Sequence, residues 1–121
     1  MKNDYKRQLI KRAYTYSLDI IKFLDTLDKK DFITKIIAKQ LIRSATSIGA
    51  NIVEAQAANS KKDFINFLNH ALKSANESKF WLGLLRDSDK APKEKVNLLL
   101  QETDELAKIL GSSLLTLRGK R

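Results

Sequence analysis

Apolar residues recur every three or four positions along nearly the whole chain. That spacing is the mark of helices with one buried face. Over residues 4–27, Tyr5, Leu9, Ala13, Tyr16, Ile20, Leu24 and Leu27 fall on one side, and Ile10, Ser17 and Ile21 widen it. Over 32–57, the stripe is Ile33, Ile37, Leu41, Ala45 (or Ser44), Ile48, Ile52 and Ala55. Over 61–86, Phe64, Leu68, Ala71, Ala75, Ser78, Leu82 and Leu85 alternate steps of four and three, the heptad spacing of packed helices. Over 93–117, Val96, Leu99, Thr103, Leu106, Leu110, Ser113 and Leu117 do the same. Four helices with short connections make antiparallel neighbours. The expected fold is therefore all-α: one antiparallel up-down-up-down four-helix bundle, a single domain over residues 1–121.

The polar interruptions agree with this division. Asp28 to Asp31 form a short turn, and Asp31 is placed to cap the second helix. Ser60, with Asp63 three residues on, makes a capping-box-like start to the third. The run Arg86 to Pro92 is the clearest loop, and Pro92 suits a first helical turn. Gly49 lies within the second helix among Ser44, Ala45, Ser47, Ala50 and Ala55. A glycine in such company predicts a tight helix–helix contact, with a bend as the alternative.

Bulky apolar residues also lie off the stripes: Phe67, Trp81 and Leu84 on the third helix, and Leu98, Ile109 and Leu115 on the fourth. A monomeric bundle needs one apolar stripe per helix. The surplus predicts a homo-oligomer with these six residues at its interface, the alternative being a broader monomeric core.

Composition narrows the chemistry. The chain has 121 residues and a formal charge of +9, with no cysteine, four glycines and one proline. The lack of cysteine removes disulfides, thiolate catalysis and cysteine-based zinc sites, and fits a reducing cytoplasm. The start MKNDYKRQ has no apolar signal core, and no apolar run reaches membrane-span length. A cytoplasmic location without membrane attachment is expected. The positive charge suggests an acidic partner, RNA or DNA first.

The run Gln40 to Ile52, QLIRSATSIGANI, resembles the signature of the bacterial four helix bundle proteins, also called 23S-rRNA intervening-sequence proteins. Val53 to Ala57, Ser60 to Phe64, Ala71 to Lys73, Glu77, Trp81 and Leu82 continue the likeness. Many members carry Pro at the position of Gly49 and Gly at that of Ala55. The resemblance implies a four-helix bundle assembling as a ring-like homopentamer. It also implies similarity to the accessory protein of diversity-generating retroelements, a basic pentamer that binds its reverse transcriptase and nucleic acid. The family name reflects the location of some of its genes inside rRNA intervening sequences. No catalytic activity or catalytic residues come with it.

An up-down-up-down order gives the charge a location. Both termini and the turn between the second and third helices share one end. That end gathers Lys2, Lys6, Arg7, Lys11, Arg12, Lys61, Lys62, Arg118, Lys120 and Arg121, against Asp4, Glu54 and Asp63. The other end balances Lys29, Lys30, Arg86, Lys90, Lys93 and Lys95 against six carboxylates. Arg118, Lys120 and Arg121 suit a helix C-terminus, whereas Lys2, Lys6, Lys61 and Lys62 oppose the dipole at helix N-termini. Local stability does not account for those four, and anion binding does. The ten cations are the expected nucleic-acid contacts. Tyr14 is the freest aromatic for stacking, since Tyr5 and Tyr16 lie on the expected core stripe. No recognition-helix or RNA-binding-domain pattern accompanies them, so non-specific binding, of RNA in the first place, is expected.

Catalytic chemistry is not expected. His70 is the only histidine, no Glu-x-x-His pair is present, and no Gly-rich phosphate loop occurs. No metal or cofactor is implied. Glu77 is expected to pair with Arg43 across the helix hairpin, and Asn51 to hydrogen-bond across the tight contact at Gly49. These residues are read as structural. The expected function is a non-enzymatic oligomeric scaffold that binds nucleic acid. The alternative is an interaction module for an acidic protein, such as a reverse-transcriptase-like enzyme, with no direct nucleic-acid role.

Overall fold

The computed structural model describes residues 3–119. The chain forms four helices: α1 (Asn3–Asp25), α2 (Phe32–Gln56), α3 (Lys61–Asp87) and α4 (Lys93–Leu117). They stand as an up-down four-helix bundle. α2 packs most extensively on α3, and α3 on α4. α1 closes the square more thinly, against α2 and least of all against α4. The diagonal pairs do not pack closely.

The helix ends follow the side chains that cap them. Asp31 accepts from the Thr34 backbone N–H at 2.9 Å and from its hydroxyl at 2.8 Å. This satisfies one orphan amide of the first turn. Lys90 reaches the same carboxylate at 3.1 Å from the α3–α4 loop. Together these hold the Asp31 carboxyl down at about 2, mainly through the Thr34 hydrogen bonds. Ser60 accepts from the Asp63 N–H at 3.1 Å and starts α3. α3 ends with Asp89 in the left-handed region at φ 59°. Lys90 N–H there donates to Leu85 O, and Asp89 N–H to Arg86 O, the double bond of a Schellman stop.

Apart from Thr34 at the start of α2, the core is apolar, with one hydroxyl layer across its middle. All four helices contribute: Tyr16, Ser44, Ser78 and Thr103, each buried. Thr103 spends its hydrogen on Leu99 O at 2.7 Å, so the Tyr16 O–H donates to Thr103 Oγ1 at 2.6 Å. Ser78 donates to Ser74 O at 2.8 Å, which leaves Ser44 to donate to Ser78 Oγ, also at 2.8 Å. Buried hydroxyls are costly unless paired, so this layer fixes how the four helices slide against one another.

Some expected inward positions are exchanged with neighbours. Phe23 is buried on α1, and Leu24 is only half-buried. Tyr5 is 44% exposed rather than in the core, because it faces the small and polar end of α4 at Ser112, Ser113 and Thr116. On α2, Thr34 is buried and Ile33 is exposed, since the Asp31 cap draws Thr34 inward. Near the end of α4 the buried stripe passes to Leu114.

Gly49 makes the expected close approach, and its partner is α1. A Cβ there would lie 3.5 Å from Ala13 Cβ. Two expected polar pairs do not form. Arg43 donates to Gln40 at 3.0 Å, while Glu77 accepts from the Trp81 indole N–H at 2.9 Å. Each finds a partner within one turn of its own helix. Asn51 likewise donates back along α2, to Ser47 O and Ser47 Oγ, both at 2.9 Å.

Candidate nucleic-acid interface

Three segments meet at one end of the bundle: the start of α1, the α2–α3 turn and the end of α4. Their antiparallel order brings them there, and cross-helix bonds fix it. Arg12 grips Glu102 with two hydrogen bonds, at 2.7 and 2.9 Å, and reaches Glu105 at 3.2 Å. This fork ties the first half of α1 to the middle of α4. The Glu102 hydrogen bond, above all, holds the Arg12 guanidinium more firmly protonated than usual.

Arg12 is therefore engaged within the protein, with its charge met by two carboxylates. The other described cations of this end are differently placed. Arg7, Lys11, Lys61, Lys62 and Arg118 are exposed and Lys6 is half-buried. None of these six forms an ion pair among the described residues. Lys2, Lys120 and Arg121 lie outside the described residues. The opposite end is laced with pairs instead: Lys90–Asp31, Arg86–Asp87 and Lys29–Asp25. Lys30, Lys93 and Lys95 at that end have no ion pair among the described residues, so the two poles differ in net charge.

Tyr14 stands out from α1, as its off-stripe position leads one to expect. Tyr16 is buried and bound to Thr103. The six expected interface residues divide. Leu84, Leu98 and Leu115 are exposed, whereas Phe67, Trp81 and Ile109 lie half-buried against the core. Sequence reasoning passed over Phe80, which is 59% exposed and packs edge-on to Trp81 with centroids 5.0 Å apart. It also passed over Glu102 and Glu105 as partners of Arg12. The only cue was their acidity, and the register of α1 on α4 cannot be read from spacing.

A hollow lies away from the basic pole, between the end of α1 and the start of α2. It has a volume of about 410 Å³ and an apolar floor of Ile21, Leu24, Leu27, Ala38 and Ile42. Among the described residues no group of three or more His, Asp or Glu side chains is gathered as a metal site requires. No helix among them is long and apolar enough to cross a membrane.

The family profile of the 23S rRNA-intervening sequence protein matches residues 6–112, all four helices. The chain belongs to that family. A solved structure agrees: a protein of unknown function from the S23 ribosomal protein family of Bacteroides thetaiotaomicron. It is 37% identical, with a TM-score of 0.81, and the match covers 88% of this chain and 97% of that one. No curated protein matches the chain. As a 23S rRNA-intervening sequence protein, the chain keeps the hairpin of α2 and α3 as its most closely packed unit. Its polar signature positions Ser44, Ser47 and Asn51 all make hydrogen bonds within the bundle.

Proposed function

We propose that this protein is a non-enzymatic, homo-oligomeric helical scaffold that binds RNA or DNA without sequence specificity through its basic pole. The observation that carries the reading is the set of six cations at one end with no ion pair among the described residues, beside an opposite end whose cations and carboxylates balance in number. Unpaired cations at helix N-termini, as at Lys61 and Lys62, do nothing for the helix and favour a phosphate. The exposed Leu84, Leu98 and Leu115 support self-association, and a ring of five chains would repeat the pole around one axis. The family membership favours the scaffold and adds no catalytic role.

The test is RNA retention on a sizing column at low salt, with absorbance at 260 nm followed across the protein peak. The native protein should carry nucleic acid. Reversal of Lys6, Arg7, Lys61 and Lys62 to Glu should remove it and leave the assembly mass unchanged. Absence of bound nucleic acid with the native protein at low salt would sink the reading. The alternative, an acidic protein partner, would leave a complex that survives nuclease treatment.

A further inference from the structure

We propose that the outward face of α3 is a track for single-stranded nucleic acid, leading from the basic pole to a stacking platform at Phe80. The proposal rests on the nucleic-acid reading of the pole and extends it to the form of the ligand.

Lys62, Asn66, Asn69, Lys73, Asn76 and Phe80 follow one another in steps of four and three. At 3.6 residues per turn they share one narrow stripe, about 27 Å long. Asn69 is half-exposed and the other five are exposed. Neither lysine has an ion pair, and none of the three asparagines hydrogen-bonds within the described protein. Between Asp63 and Glu77 the sequence has no carboxylate at all. Glu77 flanks the upper part of the stripe, where its carboxylate accepts the Trp81 indole N–H. One turn beyond Phe80 the line meets the exposed Leu84, and then Asp87, paired with Arg86, closes the track.

Folding does not require this stripe. Asparagine and phenylalanine are weaker helix formers than the Lys, Glu or Gln usual on a solvent face. A phenyl ring 59% exposed gives up most of its burial energy. The same residues suit a nucleic-acid strand. Ammonium groups take phosphates, and free amides donate to phosphate or pair with base edges. An aromatic face stacks an unpaired base. A duplex keeps its bases stacked inside, out of reach of a ring on a convex helix. A single strand offers them, so the aromatic end selects the single strand.

Trp81 is the only tryptophan, and its ring lies 5.0 Å from that of Phe80. It reports on this end of the track. Oligouridine of about 12 nucleotides and a duplex of equal length can be titrated in low salt, following Trp81 fluorescence and anisotropy. The single strand should bind more tightly and quench Trp81. Phe80→Ala should weaken single-strand binding about 5- to 150-fold and leave the duplex unaffected. Asn69→Asp, the same shape with a negative charge, should weaken it as well. Both positions lie toward solvent, and thermal melts verify that the variants fold. Equal or tighter duplex binding, or native affinity in both variants, overturns the track. Arg7→Glu with Lys61→Glu separates the two readings. Binding lost there but untouched by Phe80→Ala and Asn69→Asp leaves the pole standing and removes the track. A native protein that binds neither nucleic acid removes both.

Discussion

Tyr16 places a phenol in the middle of an apolar bundle. Burial pushes its pKa up to about 12, with the hydrogen bonds to Thr103 and Ser78 pulling the other way. The folded state therefore holds this proton more tightly than the unfolded chain does. Its contribution is complete below about pH 10 and is lost as pH rises towards 12. The loss should be about 2–3 kcal/mol, and Tyr16→Phe should remove it. Thermal melts of both proteins between pH 9 and 12 measure the difference. Thr103→Val removes the first partner of the Tyr16 hydroxyl and should cost about 1–3 kcal/mol by urea denaturation. The inward position of Tyr16 is legible in the sequence, because it sits on a 3.6-residue stripe. Its partner is not, because the register of α1 on α4 depends on three intervening connections. The same gap explains Arg12. Spacing alone groups it with the free cations, whereas the folded chain presents it with Glu102 and Glu105. Arg12→Gln should lower stability by about 1 kcal/mol, since the pair is half in water. It should leave RNA affinity nearly unchanged, while Lys62→Gln should reduce the salt dependence of binding.

Element by element, the helices begin and end within two residues of where the sequence places them. Caps account for this: Asp31 and Ser60 are short-range signals, complete within four residues. Asp31 also gives α2 an acid sensitivity. Its carboxyl is held at about 2, below the unfolded value, so the stability it supplies is present above about pH 4 and lost as pH falls towards 2. Asp31→Asn should flatten that part of the acid unfolding curve. Gly49 is a case where the sequence located a contact and not its tolerance. The gap to Ala13 is an ordinary van der Waals distance, so a methyl group fits. Gly49→Ala should stabilise the protein by about 0.5–1 kcal/mol through helix propensity, raising the melting temperature. The misplaced pairs, Arg43 with Glu77 across the hairpin and Asn51 across the contact at Gly49, share one cause. A long side chain near a partner one turn away takes that partner first.

For the molecule as a whole, two features were legible early: the four-helix order and the charge difference between its ends. Both follow from topology and need no side-chain detail. What topology does not give is which charges remain free. The six cations of the pole without an ion pair among the described residues imply a single-strand salt slope of up to about −4 on a log–log plot if all engage one strand. Filter binding across a salt series checks this, and a slope near zero would rule out the pole as the contact. The exposed apolar residues make a separate prediction. Leu98 and Leu115 lie about 25 Å apart along α4, too far for one small contact. Leu98→Glu with Leu115→Glu should lower the assembly mass measured by light scattering without unfolding the chain.

The thin packing of α1 bears on the order in which the molecule is made. α2, α3 and α4 touch their neighbours in sequence and can assemble by local encounters. α1 leaves the ribosome first, yet its Arg12 and Tyr16 find their partners only once residues 102–105 exist. The first of these four helices to be synthesised is thus among the last to dock fully. Amides of α1 should exchange with deuterium sooner than those of α2 and α3, both during refolding and in the native state. The N-terminal cations ride on that helix, so they are the part of the pole delivered last.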